Sequence, residues 1–293
     1  MSVVTTDVAQ RPTLRERLDR GESVLMPGVW DPLSATLAAH AGFSTVFLSG
    51  FCLSGTFLGA PDIGLLTQSD VADAARRVCA AVPGTDVVVD ADTGYGNVTN
   101  TIRTVELWEQ AGAAGLFLED QVSPKRCGHM EGKEVVPRDE WVAKLRAAVE
   151  HRIRLHVTAR TDARAAVGLR EAIERAVIAR DLGVDAVFVE APQSLAELDA
   201  IAQALPGTTL VANMVETGKT PLLTPTELAD RGFQLIVSPV SLLFTAVKAM
   251  QSSLARLHEV GTLRDELERL AGFDEFTSIV GLREHEEAAR RYA

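Results

Sequence analysis

Cysteine is scarce in this chain: Cys52, Cys79 and Cys127 are the only three, and no two form a Cys-x-x-Cys pair. That spacing suggests neither a zinc site nor a disulfide framework, and it points to a reducing, cytoplasmic setting. No apolar run approaches the roughly 18–20 residues of a membrane span. The first ten residues lack the basic and apolar blocks of a signal peptide. Positive charge is also short, with 29 Lys and Arg against 40 Asp and Glu and a formal net charge of −11. Such a surface disfavours nucleic acid and anionic membrane, although the local field of a site can oppose the global sign. Gly94 and Gly96 do not extend to Gly-x-Gly-x-x-Gly, so dinucleotide binding is poorly supported. There is no internal repeat and no linker-like segment.

What the chain does have is a sizeable apolar content, 46% of 293 residues. Short β-branched runs recur at 24–27, 45–49, 86–90, 115–119, 155–160, 186–190, 209–213 and 235–238. They lack strict apolar/polar alternation, as parallel strands covered on both faces do. Helical patterns fill the intervals at 32–41, 69–81, 99–111, 138–150, 169–182, 194–204 and 226–231. Several end at a glycine (Gly42, Gly112, Gly183, Gly232), and Ser69 reads as the N-cap of the second. Eight β-α alternations imply a (β/α)8 barrel, a fold that commonly takes about 250 residues. The expectation is one α/β domain over 1–293 with a helical extension from about 240, read as helices at 240–259, 263–270 and 282–292. A barrel needs one closing helix, so the surplus should pack on a neighbour.

Barrel active sites lie at the C-terminal ends of the strands. Read in order, those ends carry Ser49-Gly50, Asp90-Ala-Asp92, Glu119-Asp120, Arg160-Thr-Asp162, Glu190 and Asn213. Asp90 and Asp92, with Glu119 beside them, offer an all-oxygen shell that suits Mg²⁺, with Mn²⁺ an acceptable substitute. Arg160 reads equally as a substrate contact and as a structural ion pair with Glu119 or Glu190, since a buried arginine must be paired. The fourth strand runs directly into Glu119-Asp-Gln-Val-Ser-Pro-Lys125-Arg-Cys127-Gly128-His129. Cations beside a thiol lower its pKa and make it a usable acid or nucleophile. Cys52, Cys79 and the remaining histidines, His40, His151, His156, His258 and His285, read as structural.

These pieces, with Gly59-Ala-Pro-Asp62, Ala159-Arg-Thr-Asp-Ala163 and Ala212-Asn213, resemble the isocitrate lyase/phosphoenolpyruvate mutase superfamily over about residues 14 to 292. The resemblance implies a barrel whose last helix is exchanged between subunits, usually in a homotetramer. It implies that Asp90 holds Mg²⁺, with Asp62, Asp92 and Glu119 acting directly or through its waters. Ser49 and Gly50 would bind the carboxylate of a 2-oxo acid, and Lys125 to His129 would lie on a loop closing over substrate. In the carbon–carbon lyase branch Cys127 would be the general acid, and Arg160, Glu190 and Asn213 would orient substrate. The partners implied are small di- or tricarboxylates or 2-oxo acids.

Departures from the superfamily patterns narrow the substrate. Methylisocitrate lyases resemble this chain but place an arginine where Phe244 stands, to hold a third carboxylate. A charge-assisted hydrogen bond is worth about 1.5–3 kcal/mol, so a tricarboxylate is disfavoured here. Phe51 replaces a glycine and Phe47 a tyrosine; Phe47 cannot relay a proton, so the pattern assigns no general base. Asn213-Met-Val-Glu-Thr-Gly-Lys-Thr-Pro221 and Leu243-Phe-Thr245 are more similar to the alkylmalate lyases. The expected reaction is Mg²⁺-dependent cleavage of a 2-alkyl- or 2,3-dialkylmalate. The alternatives are a P–C bond-forming mutase of the carboxyphosphoenolpyruvate or phosphonopyruvate type, an oxaloacetate hydrolase or decarboxylase, and a methylisocitrate lyase.

Overall fold

A computed structural model describes residues 12–128 and 132–293. Eight parallel strands close into a barrel in chain order. They are β1 (Val24–Val29), β2 (Thr45–Leu48), β3 (Asp86–Asp90), β4 (Gly115–Glu119), β5 (His156–Thr161), β6 (Ala186–Val189), β7 (Leu210–Asn213) and β8 (Phe233–Ser238). All eight fall where apolar runs predict them, two with the expected ends and six with ends shifted by one or two residues.

The strands form because both of their faces are covered. One set of side chains packs outward in a large cluster that includes Val46, Val87, Val89, Leu116 and Val157 with the helical residues Val78, Trp108 and Trp141. The other set fills the interior: Met26, Phe47, Val88, Phe117, Phe188 and Val237, with Leu14 and Leu18 of the helix Leu14–Asp19. That first helix was not expected from the sequence. Phe47, Phe117 and Phe188 form an aromatic layer, with centroids 4.9 Å apart for the first pair and 5.7 Å for the second.

The helix predicted at 69–81 begins one residue earlier, at Gln68. Its N-cap is Thr67, whose hydroxyl accepts from Asp70 N–H while Asp70 returns to Thr67 N–H. Reciprocal satisfaction of two end groups favours Thr67 over Ser69. Gly112 ends its helix with φ of 86°, as the glycine stop requires. No helix among the described residues is long and apolar enough to cross a membrane.

The chain divides into two compact units, and the cut at Ser241/Leu242 falls close to the expected start of the helical extension. The described part of the second unit holds most of the helix Ser241–Val260 and the helices Phe273–Ile279 and Leu282–Arg291. The helix expected at 263–270 is only a short 3-10 turn, Leu267–Arg269. Phe273–Ile279 was not foreseen.

Candidate active site

The strand ends deliver their polar groups to one place. Glu119 at the end of β4 and Arg160 on β5 are register partners, and so are Arg160 and Phe188 on β6. Arg160 Nε lies 3.3 Å from Glu119 Oε2 and 2.9 Å from Asp162 Oδ2, and its Nη2 lies 3.8 Å from Glu190 Oε2. The guanidinium carbon stands 5.4 Å from the Phe188 centroid, so the aromatic layer forms an apolar floor beneath the charges. Asn213 Nδ2 donates to both oxygens of Glu190 at 3.3 Å. The ion-pair reading of Arg160 therefore holds for both named partners.

A second cluster surrounds Lys125. Its Nζ lies 2.6 Å from Asp62 Oδ1 and 2.9 Å from Asp92 Oδ1, with all three side chains more than nine-tenths buried. Asp90 Oδ1 accepts from Asp92 N–H at 3.2 Å. A β-carbon on Gly50 would fall 2.9 Å from Asp90 Oδ2, so only glycine lets the backbone approach that carboxylate. Ser49 caps the short helix Gly50–Leu53, accepting from Cys52 N–H, and Phe51 is half-buried on that helix. Lys125 is thus engaged with the aspartates.

The segment after β4 leans onto both clusters. Gln121 braces it, accepting from Arg126 N–H and donating to Arg126 O. Cys127 N–H donates to Asp62 O, and Cys127 is half-buried. A β-carbon on Gly128 would sit 2.5 Å from Glu190 Oε1 and 2.7 Å from Arg160 Nη2. His129 lies outside the described residues. Phe244 belongs to the second unit, so its relation to this cluster is not described.

Sequence reading gave no role to three neighbours. Lys133 is buried against Asp162. Tyr95 buries a hydroxyl that finds no partner among the described residues. Asp120 accepts from Thr161 Oγ1 and Asp162 N–H and pairs with Arg175. Asp162 follows directly after β5, and its carboxylate turns back to the Arg160 guanidinium two residues earlier.

Six carboxylates (Asp62, Asp90, Asp92, Glu119, Asp162, Glu190) meet three cations (Lys125, Lys133, Arg160), leaving a formal charge of −3. Burial pushes the Asp92 carboxyl up to about 6 against the pull of Lys125, with Asp90 and Asp62 adding to the rise. Burial likewise holds Glu119 well above the ordinary range despite Arg160. Asp162 goes the other way: Arg160 and Lys133 outweigh its burial and bring it to about 2. The excess negative charge beside Asp90 and Asp92 suits a divalent cation. Glu119 Oε1 is buried with no hydrogen-bond partner among the described residues, an acceptor left for an ion or its water. Among the described residues no three His, Cys, Asp or Glu side chains converge on one point.

A model of the phosphoenolpyruvate phosphomutase family matches residues 14–258. The chain belongs to that family. It is 44% identical to the petal death protein of Dianthus caryophyllus over 96% of this chain and 89% of the relative. It is 46% identical to the chloroplastic carboxyvinyl-carboxyphosphonate phosphorylmutase of Arabidopsis thaliana, over 92% and 81%. It is 39% identical to the 2,3-dimethylmalate lyase of Eubacterium barkeri, over 96% and 97%. Among solved structures, oxaloacetate acetylhydrolase bound to 3,3-difluorooxalacetate superposes with a TM-score of 0.92 at 35% identity, over 96% of both chains. Phosphonopyruvate hydrolase in complex with oxalate and Mg²⁺ superposes with a TM-score of 0.86 at 29% identity, over 95% and 97%. The family member is thus an enzyme of the isocitrate lyase/phosphoenolpyruvate mutase superfamily, whose relatives here are lyases, mutases and hydrolases acting on small carboxylates.

Proposed function

We propose that this enzyme cleaves the carbon–carbon bond of a 2-alkyl- or 2,3-dialkylmalate, giving a 2-oxo acid and a carboxylate. The observation that carries the reading is the seating of the Cys127-Gly128 segment directly on Arg160 and Glu190. It sets a thiol-bearing backbone beside the groups that would hold substrate.

In the reaction the 2-hydroxyl gives its proton to solvent water, the adjacent carbon–carbon bond breaks, and a proton taken back from solvent later restores the Cys127 thiol. The bonding pair stays on the departing carboxylate fragment, and a proton from Cys127 Sγ restores neutrality at that carbon. Arg160 and Lys125 offset the negative charge that develops. Glu190 and Asn213 orient the substrate, and Ser49 and Gly50 receive the oxo-acid carboxylate. Asp90, Asp62, Asp92 and Glu119 would hold Mg²⁺, directly or through its waters, and the ion would supply Lewis-acid polarisation of the hydroxyl and oxo-acid oxygens. The aromatic layer excludes water from beneath, which strengthens each of these interactions. Phe47 and Phe51 suit alkyl substituents better than a third carboxylate. The C-terminal helices are read as the element exchanged between subunits of a homotetramer.

Purified enzyme with Mg²⁺ should release a 2-oxo acid from at least one of a panel of substituted malates, and EDTA should stop it. Silence across the panel would refute the reading. Cys127→Ser should lower kcat by roughly 10²–10⁴-fold, the worth of a positioned proton donor, while oxalate still binds with Mg²⁺. The high identity to the phosphorylmutase favours one second reading, P–C bond chemistry. Phosphorus NMR of phosphonopyruvate incubated with the enzyme would show phosphoenolpyruvate if that reading holds.

A further inference from the structure

Lys133 is a lysine whose side chain is only 1% exposed, on the far arm of the segment that carries Cys127. That arm is fixed to the near one by Val122 N–H donating to Glu134 O and by the antiparallel bridge of Gln121 with Val135. Lys133 Nζ lies 2.9 Å from Asp162 Oδ1 and donates a second hydrogen bond to Gly128 O. Asp162 is fully buried and shares its carboxylate with Arg160, at 2.9 Å to Nε and 3.2 Å to Nη2. Its backbone is held in turn, because Asp162 N–H donates to Asp120 Oδ1 at 2.7 Å. Asp120 is clamped by Arg175, which also donates to Val136 O, three residues beyond Lys133.

We propose that Lys133 is a positioning residue that latches the Cys127-bearing segment onto the barrel, gripping Gly128 O with one donor and Asp162 with another. A buried ammonium must be paired, and an apolar side chain of similar length would fill the same space without needing either partner. The charge is useful here because its two partners lie on the two bodies that must meet. Gly128 adjoins Cys127, and Asp162 adjoins the guanidinium of Arg160. One side chain thus fixes the distance between the thiol-bearing backbone and the substrate-facing cation. Glycine at 128 completes the fit, since any β-carbon would collide with Glu190 and Arg160.

The latch rests on geometry, and only its kinetic consequence rests on the lyase reading. The test is alkylation of the enzyme by iodoacetamide, followed by mass spectrometry of the three cysteine peptides. In Lys133→Met, Cys127 should react at least roughly tenfold faster than in wild type, as a locally opened segment would. Buried Cys52 and half-buried Cys79 serve as internal controls and should keep their wild-type rates. An unchanged Cys127 rate in folded Lys133→Met overturns the latch, whatever the activity. A second measurement needs no variant. In native wild-type enzyme, acetylation of Lys133 should run at least roughly tenfold slower than in the urea-unfolded chain, and equal rates overturn the proposal. If the lyase reading holds, Lys133→Met loses kcat by roughly 10²-fold while KM stays near wild type, because misplaced groups cost rate rather than binding. An enzyme silent toward every malate but with shielded Cys127 and Lys133 refutes the lyase reading and leaves the latch standing.

Discussion

At Gly128 the chain has no room for a β-carbon, and this decides how the thiol segment can sit. The 2.5 Å approach to Glu190 Oε1 is closer than side chains ever come to a carboxylate without displacement, and Glu190 is fully buried and cannot swing away. Gly128→Ala should therefore lift the segment from Arg160 and Glu190. Because a shift of about 1 Å in a reacting group can cost roughly 10²-fold, kcat should fall by about that factor while the melting temperature barely moves. Steady-state kinetics and a thermal melt check both halves; a variant with wild-type kcat would show that the seat is not used in turnover. At this scale the sequence was legible for the charged groups on strand ends, because a strand end in a barrel has one place to point. It was not legible for Lys133, whose meaning depends on Asp162, 29 residues away in sequence. Nothing local distinguishes a buried latch from a solvated loop lysine.

The element that best shows the division of labour is β5. Its C-terminal end carries Arg160 and leads into Asp162 at the site, while its first residue, His156, is buried at the strand's other end. Burial pushes His156 down to about 4, with Asp185 pulling the other way and Arg15 and Arg152 adding to the fall. The folded pKa lies below the unfolded value of 6.5, so between those values the unfolded chain binds a proton that the native state refuses. Stability from this group is intact above about 6.5 and is lost as pH falls toward about 4. From pH 7 to pH 5 the loss is about 2 kcal/mol. His156→Gln should abolish that part of the acid limb. Urea unfolding at the two pH values should show the wild type losing about 2 kcal/mol more than the variant. An equal loss would mean that His156 is not held neutral. Strands such as β2 and β6 were legible because a strand covered on both faces reads as an unbroken apolar run. The helix start near residue 68 was less so, since Thr67 and Ser69 are both good caps and only the returning Asp70 side chain selects between them. The short helix Gly50–Leu53 and the wide turn Ser54–Leu58 after it carry no periodic pattern, and nothing in their composition announces them.

At the scale of the whole molecule, the described C-terminal helices bury almost nothing among themselves. Among residues 242–293 only Leu243 is buried, so the C-terminal helices form no core of their own. Val247, Met250, Leu254 and Leu257 are all exposed on the helix Ser241–Val260, at spacings of three, four and three residues. That spacing lays them in one stripe along the helix, the pattern of a seam that seeks another helix. Phe273 and Tyr292 are more than four-fifths exposed as well. Apolar surface on this scale marks an interface more often than a solvated face, and the proposed occupant is a second copy of the chain. Light scattering coupled to size exclusion should give a mass near four times the 31.5 kDa of one chain. Leu254→Asp combined with Phe273→Asp should shift that mass down toward the single chain, because charges in a desolvated seam cost several kcal/mol each. The barrel should survive the change, since both of its clusters are built entirely from residues 14–237. A wild-type enzyme that runs at the mass of one chain would leave the stripe without its partner and remove the helices from the assembly reading.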